Sequence, residues 1–490
     1  MIIHKRNESF CFLECQDSDI HMKIYRNFEY YVDGYKFNPL YKMGKFDGKI
    51  KLYLFAKRLF PLGLIPQLKS FLDDLGVDYS EVGFEQKKEI KEEQLLKFID
   101  TLNLSFPPRD YQVKLVLDAI NSRKGIFVAA TSSGKSLSQY ILAMYSIYVL
   151  KKRVILIVPT TSLVSQMESD MKEYGISEDI SVHTIMSGKA KIFDDDLIIS
   201  TWQSLQKKDV QLELKETEFG MVLTDEVHKA KSTVLKTIIQ EVLTEIEYKI
   251  GVTGTLPKNQ LDKQTLIGIF GEPQKIINAK DLVDRGLGTD LDITALYLKY
   301  TEADCKYVRK LRNYAKEVSY INEHVRKINF ISKFAVSRAK LDHNSIVFFN
   351  RRNFGEAIFE SIQELYDGKK VFYVDGSVPA DVRESIRKDF ENNTGIILVA
   401  STKTFSTGIS IKRLNTGIFA ENPGKSAITL IQSLGRFLRQ HKSKEVSHIF
   451  DIVDDLRVGK YENYSFKHFL ERIETYREES WEVKEKTFNL

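Results

Sequence analysis

The sequence predicts an α/β protein with two parallel-sheet domains in tandem, a small α+β domain ahead of them and a helix at the C-terminus. Three observations carry this. From about Lys124 to Gly254 the chain repeats one plan: a short apolar run rich in β-branched residues, a turn, then a longer helical segment. A second series of the same kind starts at Ser345. Both sets of runs are apolar throughout instead of alternating, the pattern of strands buried on both faces of a helix-covered parallel sheet. The third observation is length, since 490 residues exceed what one hydrophobic core supports, and about two to four domains are expected.

Taken in order, residues 1–95 show shorter strands, many aromatics and no βα rhythm, which gives the α+β domain. Residues 96–290 hold the strands GIFVAA, RVILIVP, DLIIST, FGMVLTD and YKIGVTG. Residues 291–455 hold SIVFFN, KVFYVDG, GIILVAS, TGIFAE and VSHIFDI. In residues 456–490, Phe466, Phe469, Leu470, Ile473 and Tyr476 recur at helical spacing and predict one amphipathic helix packed on the second sheet. Two such domains create a cleft, and the carboxyl ends of their strands are where ligands usually sit.

Composition sets the limits. Apolar residues make up 43% and charged residues 28%, ordinary for a folded chain, and the net charge of +5 means that affinity for a polyanion must come from local clusters of Lys and Arg. The start lacks the apolar core of a secretory signal and no stretch is long enough to cross a membrane, so a cytoplasmic location is expected, the host cytoplasm if the source is a phage. Cys11, Cys15 and Cys305 are too few and too unevenly spaced for a disulfide framework or a zinc site.

The first stretch with chemistry in it is AATSSGKS, Ala129 to Ser136, between the strand GIFVAA and a helical run. In that setting the N–H groups of Thr131, Ser132, Ser133 and Gly134, with the positive end of the helix, cradle phosphates. Lys135 then neutralises the terminal phosphates and the Ser136 hydroxyl binds Mg²⁺. Ala129 stands where the strict pattern has its first glycine, and taken alone the stretch fits an ordinary Ser/Gly-rich turn equally well. FGMVLTD ends in Asp225-Glu226, placing two carboxylates at a strand end on the same sheet edge. Asp225 can hold the metal and Glu226 can orient and deprotonate an attacking water; alone, such a pair is commonly just solvated charge. In the second domain IQSLGRFLRQ offers Gln432, Gly435, Arg436 and Arg439 on one predicted helix, where positions three apart share a face. Arginines aimed at a γ-phosphate stabilise the charge that develops in phosphoryl transfer.

The order of the whole set resembles the superfamily 2 helicases and translocases, with the two sheets as RecA-like domains. Arg109-Asp110-Tyr111-Gln112 is similar to the adenine-reading segment, with Arg109 and Gln112 toward the base. Pro159, Thr160 and Thr161, then Thr201, Trp202 and Gln203, resemble strand-contacting motifs. Thr253-Gly254-Thr255 resembles the element that couples hydrolysis to domain movement, and His228 joins it. Phe405-Ser406-Thr407-Gly408-Ile409-Ser410 and Gln432 to Arg439 resemble the last two motifs, which implies DNA contact by Thr404 and nucleotide contact by Gly408. Ser410 occupies a place often held by aspartate, so a carboxylate contact to the ribose is missing from the pattern. Asp-Glu-Val-His at 225–228 and Thr-Gly-Thr point away from the DEAD-box RNA helicases, and within the superfamily the chain resembles the phage recombination and branch-migration helicases, which share FSTGIS and a segment like DGYKFNPLYKMGKFDGKIKL. The resemblance implies ATP and Mg²⁺ as cofactors, forked or four-way DNA as partner, possible recombination or replication proteins, and a monomer. The same motor motifs serve a duplex translocase; a scaffold without hydrolysis would not need Lys135, Asp225, Glu226 and Arg439.

Between Tyr35 and Arg58 lie Lys36, Lys42, Lys45, Lys49, Lys51, Lys57 and Arg58, interleaved with Phe37, Tyr41, Phe46, Tyr53 and Phe55 and opposed by Asp47. Asp47-Gly48 predicts a tight hairpin turn. A basic aromatic hairpin can follow phosphates through Lys42, Lys45 and Lys49 and stack on unpaired bases; edge lysines that only prevent aggregation are the plainer alternative.

Overall fold

A computed structural model describes residues 1–85, 88–186, 193–229, 232–408, 411–421, 427–442 and 444–490. It divides into two compact units, one of residues 1–129 and 134–277, the other of residues 278–490 together with the short stretch Ala130–Ser133.

The first unit is built on a parallel sheet. Among the described residues its strands run, in spatial order, Pro273–Ile277, Lys124–Ala129, Tyr248–Thr253, Phe219–Asp225, Arg153–Val158, Leu197–Thr201 and Val182–Ile185. The five apolar runs form its centre. Phe219–Asp225 is buried at every position, as expected of a strand covered on both faces. The two edge strands, Pro273–Ile277 and Val182–Ile185, are additional to the five read from the sequence.

The N-terminal region belongs to the same unit. Strands Leu59–Pro61, Phe10–Glu14, Ile2–Lys5 and Ser80–Val82 form a small mixed sheet, and its core, including Leu13, Ile24, Phe28, Phe60 and Leu68, is continuous with that of the parallel sheet. The join is tight: a Cβ on Gly63 would sit 1.9 Å from the carbonyl oxygen of Ile267. Lys249, fully buried, donates to the Glu8 carbonyl (3.2 Å), the Ser9 hydroxyl (2.6 Å) and the Ile239 carbonyl (3.2 Å). Lys124 pairs with Glu8 at 2.6 Å. A buried ammonium is tolerated only when its hydrogen bonds are made, so these contacts fix how the small domain sits.

One expectation is corrected here. Asp47-Gly48 is not a hairpin turn. Strand Glu29–Tyr31 pairs antiparallel with Lys49–Lys51, so their connection is the whole of residues 32–48, with a helical turn at Pro39–Lys42. Asp47 makes a local turn instead: its side chain accepts from the Lys49 N–H at 2.9 Å, and Gly48 takes the left-handed conformation at φ +81°. The local turn chemistry was legible; which strands pair was not.

The second unit also holds a parallel sheet, ordered Val371–Val374, Ile397–Ser401, Ser345–Phe349, Thr416–Phe419, Val446–Asp455, Asp290–Lys299 and Val483–Asn489. The predicted C-terminal helix is Tyr464–Glu478. Beyond it the chain returns as strand Val483–Asn489, which pairs parallel with Asp290–Lys299 and completes the sheet; neither of these two strands was among the five read from the sequence. No helix among the described residues is long and apolar enough to cross a membrane.

Candidate functional site

In the first unit, strand Lys124–Ala129 ends at the predicted phosphate loop and helix Lys135–Tyr145 starts on its far side. Gly134 has φ +75°, and a Cβ there would lie 2.5 Å from Gln112 Nε2. Only glycine satisfies both the conformation and the space. Ser132 also takes a left-handed conformation, at φ +71°. Thr131, Ser132 and Ser133 belong to the stretch grouped with the second unit. Lys135 Nζ donates to the Ala129 carbonyl at 3.2 Å.

Gln112 is buried, and its amide is engaged at both ends. Its oxygen accepts from the Arg109 N–H at 2.8 Å and its nitrogen donates to the Gly134 carbonyl at 2.9 Å. It therefore ties the start of helix Asp110–Ser122 to the phosphate loop, while Arg109, exposed, donates to the Tyr111 hydroxyl at 2.8 Å.

Strand Phe219–Asp225 delivers the two carboxylates. Asp225 is buried and accepts from Gln139 Nε2 at 3.2 Å. Gln139 lies one helical turn beyond Lys135, on the same face, and was not singled out from the sequence although its spacing marks it. Burial, with the adjacent Glu226 charge, pushes the Asp225 carboxyl up to about 6, against the pull of Lys135 and Gln139. Burial acts in the same sense on Glu226, but Lys135, His228, Lys229 and the Gly254 N–H outweigh it and hold that carboxyl below its ordinary value. Glu226 has φ +48°, an uncommon conformation for a non-glycine residue and one that concentrates at functional sites.

The predicted coupling residues meet at Glu226. His228 Nδ1 lies 3.3 Å from Glu226 Oε2 and bonds the Thr253 hydroxyl. That hydroxyl donates to the Thr255 carbonyl at 2.8 Å and lies 3.5 Å from Glu226 Oε2. Burial drives His228 down to about 4, against the pull of Glu226, so the ring is neutral near pH 7 and its 3.3 Å contact with Glu226 is not an ion pair. A carboxylate poised as a base, a second acid kept partly protonated and a lysine one strand away make a site able to bind phosphate and activate water.

Ser136 has partners that the sequence did not reveal. Its hydroxyl lies 2.7 Å from the Tyr174 hydroxyl and also hydrogen-bonds Asp170, whose carboxyl burial raises. The Tyr174 ring packs edge-on against Tyr140 at 5.6 Å. These residues follow helix Thr161–Glu173 toward its end, and Thr160 caps the start of that helix, accepting from the Leu163 N–H at 3.4 Å. Thr161 is exposed. Thr201 is buried, its hydroxyl 2.9 Å from that of Ser204, and Gln203 donates to the Pro159 carbonyl at 3.2 Å. Trp202 packs against the core with its indole nitrogen buried and unpartnered among the described residues. Helix N-terminus and capping threonine form one edge at which N–H groups can meet a phosphate.

In the second unit, helix Ala427–Phe437 carries Gly435 and Arg436. Arg439 lies beyond the helix end, which corrects the expectation that both arginines share one helical face. The Arg436 guanidinium sits over the Phe405 ring at 5.3 Å, and burial holds Arg439 below its ordinary value, with Glu391 acting in the opposite sense. Thr404 is buried in helix Thr402–Gly408, which ends at Gly408. Ile409 and Ser410 and the side chain of Gln432 fall outside the described residues.

At the N-terminus the lysines differ in their engagement. Lys49 pairs with Glu29 and Lys51 with Asp47, while Lys42 and Lys45 are exposed. Sequence reading had opposed this cluster by Asp47 alone; Glu29 enters from the paired strand.

Comparison with known proteins gives three family matches: the N-terminal domain of the DNA helicase UvsW at residues 2–83, the res subunit of type III restriction enzymes at 105–258, and the helicase conserved C-terminal domain at 326–441. The ATP-dependent DNA helicase uvsW of Enterobacteria phage T4 is 32% identical over 512 aligned residues, covering 100% of this chain and 99% of its own. The crystal structure of T4 UvsW superposes with a TM-score of 0.52 at 30% identity over 100% of this chain and 99% of that one. The type ISP restriction-modification enzyme LlaBIII bound to DNA, at 14% identity and a TM-score of 0.58 over 87% of this chain and 36% of that one, shares the fold.

Proposed function

Since this chain belongs to the family of the phage T4 DNA helicase UvsW, we propose that it is an ATP-driven DNA helicase that remodels branched DNA, by fork regression and branch migration, in recombination, repair or replication. The observation that carries the reading is the cluster at one sheet edge: Lys135, Gln139, Asp225, Glu226, His228, Thr253 and Gly254 within one hydrogen-bonded and electrostatic network.

In this reading the loop through Gly134 and Lys135 receives the phosphates of ATP, and Gln112 holds the loop to the helix that bears Arg109. The donor set suits a hard cation, because Asp225 is an acid whose charge is destabilised by burial and by Glu226 and a hydroxyl stands at Ser136; bound Mg²⁺ supplies charge neutralisation on the phosphates. Glu226, kept ionised, orients water and takes its proton. His228 and Thr253 report the state of Glu226 to Gly254 and Thr255, which follow them on the chain. Gln432, Gly408, Arg436 and Arg439 of the second domain serve nucleotide binding and hydrolysis. Thr160, Thr161, Thr201, Trp202, Gln203, Pro159 and Thr404 hold one DNA strand by its backbone, fixing position without reading sequence. Lys42, Lys45 and Lys49 contact the phosphates of a branch arm.

The test is ATP hydrolysis measured with single-stranded, duplex, forked and four-way DNA, and RNA, side by side. Stimulation greatest with forked or four-way DNA supports the proposal; equal stimulation by RNA and DNA, or none, overturns it. The match of residues 105–258 to the res subunit of type III restriction enzymes favours a second reading, a duplex translocase without strand separation. Displacement of a triplex-forming strand in the absence of fork unwinding would select it.

A further inference from the structure

The connection between strands Glu29–Tyr31 and Lys49–Lys51 ends in an apolar crest. Phe37 is 81% exposed, Met43 58% and Leu40 49%. Leu40 and Met43, three apart across the helical turn Pro39–Lys42, share a face. Other aromatics of the segment are more engaged: Tyr53 is buried and bonded to His21, Tyr41 packs edge-on against Tyr35 at 4.9 Å, and Phe55, 37% exposed, packs against Tyr25 at 5.4 Å.

The crest stands on a fixed base. Tyr35 stacks on Tyr31 at 4.5 Å, Lys49 Nζ lies 5.0 Å from the Tyr31 centroid, and Gly48 lies so close beneath Tyr35 that a Cβ would be 2.5 Å from the ring. Asn38 accepts from the Leu40 N–H at 2.9 Å, Met43 N–H donates to the Pro39 carbonyl and Lys45 N–H to the Leu40 carbonyl. Three large apolar side chains held outward on a braced turn, with exposed Lys36, Lys42 and Lys45 next to them in the chain, are unfavourable in water and call for an occupant. Positive charge around an apolar crest suits a nucleic acid whose bases are unpaired at one point and whose phosphates flank that point.

We propose that Phe37, Leu40 and Met43 form a wedge that packs against the exposed base faces at a DNA branch point, with Lys36, Lys42 and Lys45 on the adjoining phosphates. This rests on the reading that the N-terminal domain contacts branched DNA, and it names the side chains that distinguish a branch from an unbranched strand. No covalent step is involved; the gain is base contact and phosphate neutralisation.

The test uses the full chain and a forked DNA with 2-aminopurine at the branch, beside a single strand of equal length. Phe37→Ala is expected to weaken fork binding about 10-fold, the usual scale of one base–aromatic contact, to leave single-strand binding and its salt dependence unchanged, and to abolish the 2-aminopurine signal. Lys42→Ala with Lys45→Ala is expected to flatten the salt dependence on the fork. If the lysine variant flattens the salt slope while Phe37→Ala leaves fork affinity and fluorescence as in wild type, the wedge is overturned and the phosphate contact stands. An unchanged salt slope overturns the underlying reading. Concentration-dependent self-association of the wild type that Phe37→Ala abolishes would make a second copy of this chain the occupant and likewise overturn the wedge. Unaltered melting of Phe37→Ala is the accompanying control, expected because the side chain is exposed.

Discussion

The two parallel sheets hold buried acids in different ways. In the second unit Asp451, Asp454, Glu317 and Glu421 are each matched. Arg472 donates to both oxygens of Asp451, at 2.8 and 2.9 Å, and Tyr476 adds a third bond at 3.0 Å. Lys327 and Tyr300 share Asp454. Glu317 accepts from Asn463 and from the N–H groups of Tyr464 and Ser465, capping the C-terminal helix. Glu421 holds the N–H groups of Asn350 and Arg351. In the first unit, at the carboxyl end of the strand Phe219–Asp225, two acids are placed side by side, one pushed up to about 6 and the other held down, on a backbone at φ +48°. Matched charge holds a fold together, whereas charge left in tension is ready for a ligand.

Substitutions in the two sheets should therefore have different consequences. The largest expected effect is on catalysis. Glu226→Gln keeps the shape and removes the base, and should lower DNA-stimulated ATP hydrolysis by about 10²-fold or more, with thermal unfolding little changed; a variant that hydrolyses at the wild-type rate would put the base elsewhere. Next is Arg472→Ala, which leaves Asp451 buried without its partner. It should destabilise the second unit by about 3–5 kcal/mol, seen in denaturant unfolding, and an unfolding midpoint equal to wild type would show the pair to be dispensable.

The third contrast is in pH. A carboxyl raised to about 6 keeps its proton in the folded chain at pH values where the unfolded chain has lost it. Asp225 thus favours folding at low pH, and that contribution is lost as pH rises through about 6. Cation binding runs the other way, since the carboxylate predominates only above that value. Mg²⁺-dependent nucleotide binding is expected to weaken as pH falls through about 6, and Asp225→Asn to reduce the dependence to that of the nucleotide's own terminal phosphate; a wild-type profile no steeper than that of Asp225→Asn would contradict the shift. The smallest effect is expected of Tyr174→Phe, which keeps the ring against Tyr140 and deletes the hydroxyl beside Ser136. A change of a few-fold in the Mg²⁺ requirement is expected, and an identical titration would confine Tyr174 to packing.

Much of this contrast was written in the chain. The apolar runs read as strands because both faces of a central parallel strand are buried. The edge strands escaped for the same reason: Val483–Asn489 reads VKEKTFN, exposed at most positions, and has no apolar run to notice. Gly134, Lys135, Asp225 and Glu226 were legible through turn chemistry and strand ends; Gln139 was missed, although it lies one helical turn beyond Lys135. Tyr174 and Asp170 were not, since nothing local to helix Thr161–Glu173 announces a bond to Ser136. Nor was the Lys249 contact with Glu8 and Ser9, in which strand and N-terminal turn are joined only by tertiary packing. Arg439 was read as helical although the helix ends at Phe437, because a continuous apolar and basic pattern conceals where the last hydrogen bond falls.

The central claim is that the loop through Gly134 and Lys135 is where nucleotide phosphates bind and that the rest of the cluster acts on them. Equilibrium binding of a fluorescent ATP analogue to the wild type and to Lys135→Ala, with unfolding recorded on the same samples, tests it most directly. The account predicts tight binding by the wild type and loss of binding by a variant that remains folded. Equal affinity in the two proteins would contradict it.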